Sequence, residues 1–167
     1  MQPGPSTAPL IYPCHFNNGV VDWPKKNSRK PNAIAIHDET RDLLVQSGVY
    51  VLVKRFSSKE ERRRIVACIY DPARIPAELV AFENHLNYFH VDGHGLPMFL
   101  ARGLAAFLNS SVIDSYFRQF SGHTQVNATD LRKLKYPSRS ILENLGRKIQ
   151  KPINQDALDE LLEAELF

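Results

Sequence analysis

Residues 99–138 read FLARGLAAFLNSSVIDSYFRQFSGHTQVNATDLRKLKYPS, and the rest of the chain is best understood from this stretch outward. Leu100, Leu104, Phe107 and Leu108 recur at helical spacing. After a break at Asn109-Ser110-Ser111 the same spacing returns in Val112, Ile113, Tyr116, Phe117 and Phe120. Two packed helices follow from this pattern. Ser111, with Asp114 three residues later, fits the capping arrangement that satisfies the free amides of a new helix, and Gly122 is suited to the left-handed conformation that closes one. Beyond it His123, Thr124, Gln125 and Asn127 offer donors and acceptors together. Asn127 or Thr129 can cap a short third helix from Ala128 to Leu134, which has Asp130 near its start and Pro137 as its stop. A connector between helices does not need so many hydrogen-bonding side chains, although a solvated loop would have the same composition.

Upstream, Gly48 to Phe56 and Arg64 to Tyr70 read as β-rich runs, joined by Ser57-Ser58-Lys59-Glu60-Glu61-Arg62-Arg63-Arg64. They predict a long hairpin with Lys59, Arg62, Arg63 and Arg64 at its tip and Lys54, Arg55, Ser57 and Ser58 at its base. Such a tip is either a solvated face offset by Glu60 and Glu61 or a ribbon whose guanidinium groups fork onto an anionic partner. Glu83 to Val91 predicts another strand, with a turn at Asp92-Gly93-His94-Gly95 leading into the first helix. His85, His90, His94 and Asp92 are residue types that ligate metals. Strand alternation separates His85 from His90, and no familiar zinc spacing is present, so no metal site is assigned.

The segment before these strands, residues 9–32, mixes aromatics with turn residues and ends in a basic cluster of Lys25, Lys26, Arg29 and Lys30. It predicts a strand-turn-strand entry with Trp23 packed, its basic loop either solvated or in contact with phosphate. Asp38 to Val45 fits a short helix capped by Asp38 or Thr40, with Leu43 and Leu44 buried. After Pro137, Ile141, Leu142, Leu145 and Ile149 suggest a helix broken at Gly146 or ending near Pro152. A last, acidic helix capped by Asn154 carries Leu158, Leu161, Leu162 and Leu166, a stripe suited to docking on a partner or a further domain.

The expected organisation is a flexible leader over 1–7, one domain over 8–149, and an acidic helix or linker over 150–167. The fold class is α/β in the α+β sense, a mixed or antiparallel β-rich sheet with a packed helical hairpin. Cys14 and Cys68 lack Cys-x-x-Cys spacing, and neither a signal peptide nor a membrane-spanning apolar run is apparent, which together point to a reduced, cytoplasmic protein. The formal charge of +3 conceals segregation: without the five acids between 156 and 165, 21 basic side chains face 13 acidic ones, a balance of +8. That footprint suits a polyanion.

Leu108-Asn109-Ser110, Tyr116-Phe117, Gly122-His123-Thr124-Gln125-Val126-Asn127, then Asp130-Leu131, Leu134 and Pro137 together resemble the C-terminal target-recognition region of adenine-specific DNA methyltransferases from restriction-modification systems. A looser form of the pattern occurs in specificity subunits of multi-subunit restriction enzymes. The likeness is densest here and extends more weakly across residues 8 to 145. It implies that the chain recognises double-stranded DNA in a sequence-specific way for N6-adenine methylation. The DNA-contacting residues would be Lys54, Arg55, Ser57, Ser58, Lys59, Arg62, Arg63 and Arg64 of the hairpin, His123, Thr124, Gln125 and Asn127 of the loop, and Arg132 and Lys133 of the short helix.

A methyltransferase of this kind also needs a glycine-rich turn for S-adenosylmethionine and an Asn/Asp-Pro-Pro-aromatic tetrapeptide for the target amine. Neither motif is in this sequence, so no catalytic or cofactor-binding residue is assigned to it. The resemblance places both in a catalytic domain upstream or in another chain, which would be the second partner beside DNA. Two other classes remain open: a small metal-dependent DNA-cleaving enzyme built around positions 83 to 94, and a protein-interaction module acting through its acidic C-terminal helix.

Overall fold

A computed structural model of the chain describes residues 1–166, which form two mixed β-sheets covered on one side by helices. Strands β1 (Thr7–Ile11), β4 (Ala33–Ala35), β5 (Leu44–Gln46) and β8 (Leu79–Phe82) make a sheet of order β4-β1-β8-β5. The second sheet comprises β2 (Phe16–Asn17), β3 (Val20–Val21), β6 (Tyr50–Lys54), β7 (Ala67–Tyr70) and β9 (Leu86–Phe89), in the order β2-β3-β7-β6-β9. In each sheet one pair is parallel, β1 with β8 and β3 with β7, and the others are antiparallel. The α+β class read from the sequence is the one observed. Asn18 and Gly19, at φ +48° and +79°, supply the two left-handed positions of the tight turn between β2 and β3.

The predicted hairpin is present, with Tyr50 opposite Tyr70 and Val53 opposite Ala67. Its first strand is buried on both faces, which is why Tyr-Val-Leu-Val reads as a continuous apolar run. Val51 and Val53 face a core shared with the helices. Tyr50 and Leu52 face a second core built with Ile11, Val80 and Tyr70.

Five α-helices follow: α1 (Met98–Leu108), α2 (Ser111–Phe120), α3 (Ala128–Lys133), α4 (Arg139–Lys148) and α5 (Gln155–Leu166). The expected pairing of α1 with α2 is not the dominant one; α1 packs chiefly on α4. Glycine allows this. A Cβ on Gly103 would lie 1.8 Å from the Leu142 carbonyl oxygen, and one on Gly146 would lie 1.8 Å from that of Phe99. Of the two ends expected from the sequence, a break at Gly146 is not observed, and the helix runs on to Lys148, close to Pro152; Gly146 instead lets two backbones touch.

Several local expectations are corrected. The cap of α2 is Ser110, whose Oγ accepts from the Ile113 amide at 3.3 Å, one residue earlier than expected. The helix ends at Ser121 in an extended conformation, so Gly122 needs no left-handed backbone. Asp38–Leu43 is a 3-10 helix that starts from His37, and Leu43 is 59% exposed rather than buried. The leader is tied down, since Met1 and Ser6 carbonyls accept from Asn32 and Ile36 amides. Asn154 does cap α5, accepting from Ala157 N–H at 2.8 Å. The apolar stripe of that helix is used within the chain: Leu158 and Leu162 are buried in the helical core, and Asp159 accepts from the Ser111 amide at 2.8 Å. No helix among the described residues is long and apolar enough to cross a membrane.

Candidate functional site

The chain turns out of β6 at Arg55 and does not run on as a free ribbon. Instead it meets the polar loop after α2. The Ser57 amide donates to the Thr124 carbonyl at 3.0 Å and the Val126 amide to the Arg55 carbonyl at 2.7 Å, forming an antiparallel bridge between Phe56 and Gln125. The hairpin base and the loop, which are nearly 70 residues apart, thus become one surface. Asn87 on β9 fastens the same strip by donating to the Val126 carbonyl at 2.7 Å.

Two arginines hold this surface from beneath. Arg64 is fully buried, its guanidinium donating to the Ser121 carbonyl at 3.2 Å and to the His123 carbonyl at 2.5 Å, with the Phe117 ring 5.5 Å away. Its Nε has no protein partner. Arg118 on α2 donates to the carbonyls of Lys59 and Glu61, both at 2.8 Å, and so staples the hairpin tip to the helix. Asp114 completes the joint, accepting from Arg118 Nε at 2.8 Å and from the backbone amides of Arg64 and Ile65. Burial pushes the Asp114 carboxyl up, but these bonds outweigh it and hold the group below the usual carboxylate range.

The predicted contact residues divide accordingly. Arg64 and Ser57, at 0% and 1% exposure, cannot reach a partner at the surface, and both leave the contact set because their groups serve the loop and the hairpin. Arg63 is half-buried and occupied, donating to the Asn109 carbonyl at 2.6 Å and to Ser111 Oγ at 3.2 Å. Lys54 pairs with Glu61 at 2.8 Å, a contact that first among its causes lowers the Glu61 carboxyl. Ser58 is half-buried, its amide donating to the Glu61 carboxylate at 3.3 Å, and Arg55 is half-buried with Nη1 on the Asn84 carbonyl. Lys59 and Arg62 remain exposed at the tip, as do Arg132 and Lys133 on α3.

His123 and Thr124 are exposed, while Gln125 and Asn127 are half-buried. With Gly122 these residues line a shallow concavity of about 440 Å³. Asn127 stands at the N-cap of α3, its amide donating to Asp130 at 3.4 Å. The basic loop of Lys25 to Lys30 follows β3, which β7 separates from β6, and is not brought to this surface.

Sequence reasoning missed Phe56, Asp114, Arg118 and Asn87. Phe56 carried a signal, an aromatic between Lys54-Arg55 and Lys59. Asp114 resembled an ordinary capping acid, and nothing local reveals which distant carbonyls Arg118 meets.

His85 Nδ1 lies 2.6 Å from the Glu83 carboxylate, and no three His, Cys, Asp or Glu side chains among the described residues are gathered to hold a metal ion. Between β9 and α1 the chain packs on the residues leading into β6, since a Cβ at Gly95 would lie 2.7 Å from the Val49 amide nitrogen.

No family model and no solved structure matches the chain. It is 46% identical over 162 residues to the Type II methyltransferase M.PstI of Providencia stuartii, an alignment covering 96% of this chain and 32% of that protein. It is 48% identical over 168 residues to the Type II methyltransferase M.BsuBI of Bacillus subtilis, covering 99% of this chain and 33% of that protein. The chain therefore matches part of a Type II methyltransferase and spans about a third of the length of the curated relatives it matches.

Proposed function

We propose, from this match to a third of Type II methyltransferases, that the chain is the target-recognition part of an adenine-specific DNA methyltransferase of a restriction-modification system. It grips duplex DNA and positions it for a separate catalytic part, which holds S-adenosylmethionine and takes the target adenine out of the stack. The observation that carries this reading is the bridge between Phe56 and Gln125. It gives the polar loop a fixed edge, so that side chains able to read base edges are presented with little ordering cost. Gln125 suits bidentate pairing with adenine N6 and N7, and Lys59, Arg62, Arg132 and Lys133 suit phosphates. The domain that would complete the enzyme is a partner of this chain, upstream of it or on another polypeptide. Sequence-specific recognition is supported further by the anchoring of the loop through Arg64, which a mere connector does not need.

The test is binding of the chain to duplexes at one fixed salt concentration. A pool of duplexes with a random central segment is enriched on the chain, and the selected sequence and its scrambled form are titrated by fluorescence anisotropy. Gln125→Ala is expected to cost about 1–3 kcal/mol on the selected duplex and much less on the scrambled one. Failure of the pool to yield any preferred sequence would defeat the reading.

A further inference from the structure

Phe56 is 41% exposed, although it sits between two well-packed segments. Its chain neighbour Ser57 and Val126, the neighbour of the opposing Gln125, are 1% and 0% exposed, so strand alternation turns Phe56 outward. The hydrogen bonds of the bridge run from Ser57 to Thr124 and from Val126 to Arg55, which makes Phe56 and Gln125 themselves a non-hydrogen-bonded antiparallel pair. In such a pair the side chains leave the same face, with Cβ atoms roughly 4.5–5.5 Å apart. The ring is backed on one side. His85 lies against it, tilted by 46° with centroids 4.8 Å apart and bonded in turn to Glu83, and the Arg55 guanidinium lies 6.0 Å from its centre. A backed aromatic ring is thus paired with Gln125, which lines the polar concavity.

We propose that Phe56 is a second specificity-determining residue, acting with Gln125 on an A·T base pair in the major groove. The Gln125 amide takes adenine N6 and N7, and the Phe56 ring covers the C5-methyl group of the thymine paired with it. The chemistry of the two side chains matches what that edge offers, a donor-acceptor pair and a methyl group. Their spacing and backing keep both in register, and the bridge between their backbones prevents one from moving without the other. The inference rests on the DNA-recognition reading above.

The experiment starts from the selected duplex described there and replaces each thymine in turn by deoxyuridine, which removes only the methyl group. The chain is expected to lose roughly fourfold in affinity at one thymine, about the value of one buried methyl, and to be indifferent at the others. Phe56→Ala is expected to bind the two forms of that position equally, and Phe56→Leu to keep part of the difference. Thermal melting checks that both variants fold, which the exposure of the ring favours. A methyl effect undiminished in Phe56→Ala, or no methyl effect at any thymine, overturns the inference and leaves DNA recognition standing. If no sequence is enriched from the pool at all, DNA recognition itself falls, and the role of Phe56 with it.

Discussion

Replacing Arg64 by methionine keeps most of the buried volume while removing every donor on the side chain, and its cost follows from what the guanidinium touches. The Ser121 and His123 carbonyls lose their partners. An interior acceptor left without a donor costs about 1–3 kcal/mol. Two such losses are partly offset because a charged group, one of whose nitrogens has no protein partner, no longer has to be buried. The expected net loss is about 2–4 kcal/mol in the free energy of unfolding. Urea denaturation followed by far-ultraviolet circular dichroism would register it as a midpoint lowered by roughly 1–2 M. Amide exchange should quicken first at Ser57 and Val126, whose bonds depend on the loop staying in place, and last in β6. Arg64→Lys should fall between, since a single ammonium cannot fork onto both carbonyls. An unchanged or raised midpoint for Arg64→Met would refute the reasoning, for it would mean that the burial of charge outweighs the bonds it makes.

Other consequences can be measured on the same material. Because Asp114 is held below its unfolded value of about 3.9, the stability it contributes is fully present above that pH and is lost as pH falls through the lower native value. Asp114→Asn should therefore be less stable than the parent at pH 7 and show a flatter stability curve below about pH 4; parallel curves would remove the carboxylate from the account. Gly146→Ala gains about 1 kcal/mol of helix propensity but drives a methyl into the Phe99 carbonyl, so a net loss of about 2 kcal/mol is expected, seen as a fall in melting temperature. A rise would mean that α1 and α4 separate readily. Lys59→Ala combined with Arg62→Ala should flatten the log-log salt dependence of duplex binding by about two units if each side chain meets one phosphate, and an unchanged slope would move the contact face elsewhere.

The hairpin, the three helices around the polar loop and the cap at Asn154 were legible because each rests on short-range spacing or on a single capping side chain. What escaped was long-range. A run of three arginines reads as one solvated patch, yet one is exposed, one is tied to Asn109 and Ser111, and one is in the core. Distant carbonyls decide among them, that of Asn109 for Arg63 and those of Ser121 and His123 for Arg64. Gly146 looked like a helix breaker because its local propensity is poor, and its purpose appears only when Phe99 lies against it. The acidic helix looked unpartnered because its partner residues are distant in sequence, Ser111 lying 48 positions from Asp159. The loop was singled out for its excess of polar groups, whereas Phe56 was passed over because its place depends on Gln125 lying opposite.

Arg64 and Arg118 hold the candidate surface almost wholly through main-chain oxygens: those of Ser121 and His123 in one case, of Lys59, Glu61 and Arg62 in the other. Every residue brings a carbonyl, whatever its side chain, so the clamps are indifferent to what His123, Lys59 or Arg62 happen to be. Substitution at these positions alters what is displayed without disturbing how it is mounted. Single replacements at the tip and in the loop therefore change the chemistry of the surface, while the two arginines and Asp114 carry the frame on which it rests.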